Sequence, residues 1–223
     1  MRRTLLILGL VIMLGAATGA HAGLLGTYYN LAESHPDMQS GVTGLRTGMV
    51  ESSLSGPMPT LTAYGGTFVS QFDWWHPTYE SFSRTDSDAD LNSAFVGSWF
   101  PLNEGVPGDP YYFAVHWSGN FYVDSNKTHT YTMGSDDDSW LFVDGDLVLD
   151  LGGVHGLQYD SYAMDLTEGY HDIDIFFAER YTVESSFTIN HFSDPDPVPE
   201  PGTLALLGTG LLGLAGFVRR RRR

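Results

Sequence analysis

Apolar and polar residues alternate with a period of two along several short stretches of the chain. Between Tyr111 and Trp117, the residues Tyr111, Phe113, Val115 and Trp117 fall on one side, and Tyr112, Ala114 and His116 on the other. Farther on, His171, Ile173, Ile175 and Phe177 alternate with Asp172, Asp174 and Phe176. Successive side chains of a strand point to opposite faces, so this spacing predicts strands with one packed face. A first strand is predicted over 23–31. A looser alternation of Phe68, Ser70, Phe72 and Trp74 predicts another within Gly66–Trp75. Gly119-Asn120 reads as a turn after Trp117, with Phe121–Asp124 returning. His129–Met133 leads into the acidic stretch, and further strands are expected over Gln158–Asp165 and Ser186–Phe192. The segment Ala32–Pro59 reads as loop with at most a short helical turn. No stretch of the domain sustains a 3.6-residue period. Short strands roughly every eight to twelve residues, with Gly and Asn between them, predict one all-β domain, an antiparallel β-sandwich or barrel.

The most informative stretch is Ser135–Gly156. Asp136, Asp137 and Asp138 stand in a row, followed by an apolar run from Trp140 to Val143. Asp144-Gly145 is a two-residue hairpin signal, because a type I′ turn needs positive φ. A second apolar run, Leu147–Leu151, returns, and Gly152-Gly153 breaks it. A hairpin brings its ends together, so the acidic loop and the glycine loop should lie at one end of the domain, with the loop Arg180–Ser186 entering from a strand end nearby.

Both ends of the chain read as addresses. Arg2-Arg3, an apolar run from Leu5 to Leu14 and Ala20-His21-Ala22 predict a secretory signal over 1–22, cleaved before Gly23. At the other end, Asp and Pro alternate in a linker over 193–202 that includes Pro199-Glu200-Pro201. An apolar run, Thr203–Val218, and five arginines, Arg219–Arg223, follow. As a helix this run reaches roughly 24 Å, just short of a bilayer core. The arginines stay cytoplasmic, which leaves the domain outside.

Setting these ends aside changes the charge picture. Of 11 Lys and Arg, seven lie in Arg2, Arg3 and Arg219–Arg223. The remainder carries four basic groups against all 27 acidic ones, a net of −23. Such a surface excludes nucleic acid, whose phosphates require a basic footprint. It suits divalent cations. The chain has no cysteine, so an exported domain relies on its core or on a metal.

The triple carboxylate admits two readings. A hard cation such as calcium takes six to eight oxygens and would relieve the repulsion among Asp136, Asp137 and Asp138. Alternatively the stretch is a solvated turn. The helix-loop-helix calcium pattern is absent. Asp86, Asp88 and Asp90 form a second alternating acidic cluster, either a solvated loop or a second cation site. Gly152 and Gly153 would let a ligand approach the backbone. His155 either donates to a ligand hydroxyl or caps its own loop. Asp150 either adds a ligand or braces the glycine turn. Trp140 opens a buried strand and reads as core. Glu179 and Arg180 read as a structural ion pair. A glycosidase needs two carboxylates flanking a cleft, and no nucleophile–base pair is visible, so the chain is not expected to be an enzyme.

Several of these motifs resemble known families. Ser135-Asp136-Asp137 with Leu141-Phe142-Val143-Asp144-Gly145 resembles the signature hairpin of the protective-antigen-type (PA-fourteen) β-barrel domain. Asp150 to Gly156 and Phe176-Phe177-Ala178-Glu179-Arg180 are similar to its fibro-slime branch, and Gly23 to Asn30 to its first strand. The resemblance covers 23–192. It implies a carbohydrate-binding or adhesive module. In the yeast flocculins, which share this domain, an Asp pair joined by a cis peptide holds calcium, and the calcium holds a sugar diol. The pair maps to Asp136 and Asp137. The flocculins also supply an Asn from a second loop. Tyr181–Ser186 has no Asn here; its one carboxylate, Glu184, or backbone carbonyls would take that place in the expected ligand set. The C-terminal motif, apolar run and arginine tail (203–223) resemble the PEP-CTERM sorting signal. That implies an exosortase as partner, a transient inner-membrane stage through the C-terminal helix, and delivery to a Gram-negative cell surface or extracellular matrix. The expected ligand is an extracellular polysaccharide or other glycan. A matrix protein in which calcium only stabilises the loop is the alternative, and a glycan-active enzyme a remote one.

Overall fold

A computed structural model describes residues 24–38, 43–79, 81–86, 91, 93–95, 112–180 and 185–190. The expectations for the signal segment 1–22, for Asp88, Asp90 and Glu184, and for the linker and sorting tail 193–223, including Pro199, Glu200 and Pro201, lie outside these residues.

Two antiparallel sheets face each other. The larger has the order β2 (Ser81–Asp86), β1 (Leu24–Asn30), β4 (Phe113–Val123), β9 (Gly169–Glu179), β6 (Asp138–Val143), β7 (Asp146–Leu151). The smaller runs β3 (Ser93–Phe95), β10 (Ser185–Ile189), β5 (Lys127–Asp136), β8 (Gln158–Leu166). The all-β sandwich is therefore as expected. Its core is built from the alternating side chains: Val115 and Trp117 of β4, Leu141 of β6, and Ile175 and Phe177 of β9 meet Tyr131 and Met133 of β5 and Phe187 and Ile189 of β10. Asp144 (φ 51°) and Gly145 (φ 82°) turn the β6–β7 hairpin with both residues at positive φ, as the type I′ signal predicts.

The larger sheet is buried on its other face as well. Trp140, Phe142, Phe176, Ala114 and Ala178 pack there against Leu31, Met38, Met49, Trp74 and Trp75 from the long segment between β1 and β2. This second core explains why Trp140–Val143 and Phe176–Ala178 read as continuous apolar runs instead of alternating.

It also corrects the strand predicted within Gly66–Trp75. That segment is a short 3-10 turn, Gly65–Thr67, followed by irregular chain. Its aromatics are spaced to cover the sheet: Phe72 meets Trp74, Trp75 and Trp140 edge-on. Its backbone is held by the buried carboxylate of Asp37, which accepts from Ser70 N (2.6 Å), Gln71 N (3.0 Å) and the Trp74 indole (3.1 Å).

Two further expectations change. Gly119-Asn120 is no turn. Strand β4 runs through it because β9 is equally long and pairs Gly119 with Ile173 and Asn120 with Asp172. The missing side chain at Gly119 leaves room for Leu24, whose Cδ2 would lie 2.7 Å from a Cβ there. Asp86 belongs to no acidic loop either. It is buried in β2 and accepts from the Trp117 indole (2.7 Å), the Tyr28 hydroxyl and Arg84 Nε (2.5 Å).

At the hairpin end, His171 Nδ1 lies 2.6 Å from Asp144 Oδ2 and Nε2 2.8 Å from the Thr167 carbonyl. Burial opposes charging of this imidazole. The hydrogen bonds to Asp144 and Thr167 and the charges of Asp144 and Asp172 outweigh it, so its pKa is raised. A raised folded value adds stability that is complete below the unfolded value of about 6.5 and is lost as pH rises through the folded value. Urea midpoints of the native chain and of Asp144→Asn should therefore differ more at pH 5.5 than at pH 9.

Candidate functional site

The chain passes from the smaller sheet to the larger one at the acidic row. Asp136 is the last residue of β5, Asp138 the first of β6, and Asp137 sits between. The Asp136-Asp137 peptide is cis. Beside this crossing, β9 pairs Ala178 with Asp138, so Glu179 at the end of β9 is delivered next to it. One carboxylate oxygen from each of Asp136, Asp137 and Glu179 lies within 4.8 Å of the other two. All three residues are buried.

Backbone donors complete the neighbourhood. Asp137 Oδ1 accepts from His155 N at 2.7 Å and Oδ2 from Arg180 N at 3.1 Å. The buried Ser185 hydroxyl has no hydrogen-bond partner among the described residues. It begins β10, whose next residue, Ser186, stands opposite Asp136. Burial, the Asp138 charge and the Asp136 charge push the Asp137 carboxyl up to about 8, although the Arg180 and His155 amides work in the other direction. The donor set is hard oxygen, buried and net negative. It fits a hard cation such as calcium and offers no soft ligand.

The other expected site residues have structural tasks. Asp138, expected among the metal ligands, is fully buried and faces Arg180: Nε donates to Oδ2 at 2.6 Å and NH2 to Oδ1 at 3.1 Å. Gly153 N also donates to Asp138 Oδ1, at 2.5 Å. The expected Glu179–Arg180 ion pair is thus replaced by Asp138–Arg180. The cause is strand alternation, which sends adjacent side chains to opposite sides. Arg180 also lies over the Trp74 ring at 4.9 Å.

Asp150 braces the glycine turn. Its Oδ1 accepts from the Trp140 indole (2.8 Å) and Gly152 N (3.2 Å), and its Oδ2 from Gly48 N (2.6 Å). His155 caps its loop, with Nδ1 3.0 Å from the Gly156 carbonyl and Nε2 2.9 Å from that of Leu151. The close approach at Gly152 and Gly153 is made by the chain itself. Arg46 N donates to the Gly152 carbonyl (2.6 Å), and Gly44 N to that of Val154 (2.5 Å). A Cβ on Gly152 would lie 2.9 Å from the Arg46 carbonyl. Gly153 has φ +104° and the Gly44 carbonyl against its Cα. Gly153→Ala should therefore lower stability by about 2 kcal/mol, through strain and overlap together; a denaturant titration reads this directly.

Asp136 and Asp137 thus lie together with Glu179, to which the sequence assigns another task.

The site and the fold can now be set beside known proteins. A family model described as PA14 domain matches residues 21–194. The chain belongs to the PA14 domain family. The model is that of the family at large, and the fibro-slime branch is a narrower assignment. A second model, the PEP-CTERM protein-sorting motif, matches residues 197–223. Among curated proteins, the chain is similar to psiQ of Dictyostelium discoideum, 43% identical over 180 residues, covering 66% of this chain and 18% of that protein. It is also similar to psiB of the same organism, 36% identical over 108 residues, covering 41% and 20%. The chain therefore spans about a fifth of the length of these relatives. Among solved structures, a PA14 sugar-binding domain from an RTX adhesin matches with a TM-score of 0.51 at 16% identity, covering 78% of this chain and 93% of that one. That likeness supports the PA14 fold. The sorting motif marks the chain for export and exosortase processing.

Proposed function

We propose that this protein is a calcium-dependent carbohydrate-binding or adhesive module of the fibro-slime type, displayed at a Gram-negative cell surface or in its extracellular matrix. The observation that carries this reading is the convergence of the buried Asp136, Asp137 and Glu179 carboxylates. Such groups in low dielectric repel one another, and a cation between them would relieve that repulsion. These residues would hold the ion, and Glu184 on the adjoining segment is the remaining candidate ligand. A bound calcium would present open coordination positions to a pair of neighbouring hydroxyls. The chain's own part is to position the carboxylates: Arg180 and His155 orient Asp137 by their amides, and the Asp138–Arg180 pair anchors the strand beside it. Membership of the PA14 family supports the reading, and so does the adhesin neighbour described as sugar-binding. The sorting tail supports a route in which the C-terminal apolar segment pauses in the inner membrane before an exosortase removes it.

A second reading is favoured by one finding. Asp150, Gly152, Gly153 and His155 are all engaged internally, so an ion here would also brace the loops of a structural matrix protein. Calorimetric titration of calcium into the purified chain, beside Asp136→Ala/Asp137→Ala, tests the site. One ion bound by the native chain and none by the variant is the expected result, and no binding by the native chain would sink the proposal. Glycan-array binding that chelator abolishes separates the lectin from the matrix protein, which would bind calcium and no glycan.

A further inference from the structure

The outer face of the smaller sheet adjoins the acidic site and carries an exposed aromatic ring. Tyr131 and Met133 of β5 point into the sandwich core, so Thr132 and Gly134 face outward. Strand β8 brings Tyr159 opposite Gly134 and Ser161 opposite Thr132. On the other side β10 brings Thr188 opposite Gly134 and Ser186 opposite Asp136. A Cβ on Gly134 would lie 2.5 Å from the Tyr159 ring, so the ring rests across the glycine, against the sheet. Tyr159 is nevertheless 60% exposed. Covering a strand glycine accounts for one face of the ring. The other face is open to solvent. The groups around it are short and polar, and Thr132 and Ser161 join hydroxyls at 2.7 Å. Asp136 follows Gly134 by two residues, about 7 Å along the strand.

We infer that Tyr159 and the polar residues beside it form a sugar subsite that continues the Asp136–Asp137–Glu179 site, and that the ligand is an uncharged oligosaccharide extending along β5. The inference rests on the carbohydrate-binding reading above and deepens it. A sugar unit anchored at the carboxylates would place its neighbour over Gly134. There the flat, amphipathic ring supplies apolar contact while the hydroxyls of Thr132 and Ser161 supply polar contact. An anionic polysaccharide is disfavoured by the 27 acidic groups that the chain carries. A single sugar would use the carboxylate site alone.

The test takes the purified calcium-loaded chain, picks the uncharged glycan it binds best on an array, and measures affinity for the mono-, di- and trisaccharide of that series. The native chain should gain about tenfold from mono- to trisaccharide. Tyr159→Ala should lose that gain and keep both its monosaccharide affinity and its calcium titration. Tyr159→Phe should keep the gain, which shows that the ring is what counts. Binding that Asp136→Ala/Asp137→Ala abolishes but Tyr159→Ala leaves unchanged for the trisaccharide overturns the subsite alone. No glycan bound by the native chain overturns the carbohydrate reading and the subsite with it.

Discussion

Arg180→Ala is expected to lower the unfolding free energy by about 3–5 kcal/mol, the cost typical of breaking a buried ion pair from one side. The arginine is 2% exposed and its partner Asp138 not at all. Truncation strands the Asp138 carboxylate in the interior, next to Asp137, with no counter-charge. It also removes the guanidinium from the face of Trp74 and from the Asp37 carbonyl, which NH1 reaches at 3.4 Å. For a domain whose total stability is about 5–15 kcal/mol, this is enough to shift the folded population at growth temperature. Urea unfolding followed by tryptophan fluorescence measures it. The partner substitution makes the argument specific: Arg180→Met with Asp138→Leu should recover most of the loss, because it removes both charges and keeps the volume. A loss below about 1 kcal/mol for Arg180→Ala would mean that Asp138 does not depend on this arginine.

Glu179→Gln should change stability in opposite directions with and without calcium. Without the ion, Glu179 adds a third carboxylate to Asp136 and Asp137, with ligand oxygens within 4.8 Å. At an effective dielectric of 20, such a pair of charges repels by roughly 3 kcal/mol. The neutral, isosteric amide relieves part of this, so the variant should melt higher than the native chain in chelator. With calcium at a hundred times its dissociation constant, the native chain gains about 2.7 kcal/mol from linkage, and the variant, short of a ligand, gains far less. The order of melting temperatures should therefore reverse. Melting curves that keep the same order in chelator and in calcium would remove Glu179 from the ligand set.

The hairpin and the site were legible to different depths. Asp144-Gly145 announces its turn because few other dipeptides tolerate two positive φ values, and the turn is where the sequence places it. Asp136 and Asp137 announce a concentration of charge. Their adjacency gives no hint that Asp138, next in line, turns to Arg180, a residue 42 positions away. Gly152 and Gly153 are visibly permissive residues. Whether the space they leave is for a ligand or for the 44–46 segment depends on where a distant loop lies, and it is the segment that fills it. The Gly66–Trp75 alternation misled for a related reason. Its aromatic spacing serves to cover a sheet face from outside, and its amides bond to Asp37 instead of to a neighbouring strand.

What the sequence alone determined is local: the period-two strands, the type I′ hairpin, the acidic row, the net negative charge and the C-terminal sorting motif. Each follows from backbone sterics, burial or charge within a few residues. The tertiary structure decided which carboxylates meet. Glu179 joins Asp136 and Asp137 because β9 lies beside β6 in that register, and Asp138 leaves them because alternation turns its side chain toward Arg180. Sheet register converts residues far apart in the chain into neighbours within a few ångströms, and it depends on which distant strands pair.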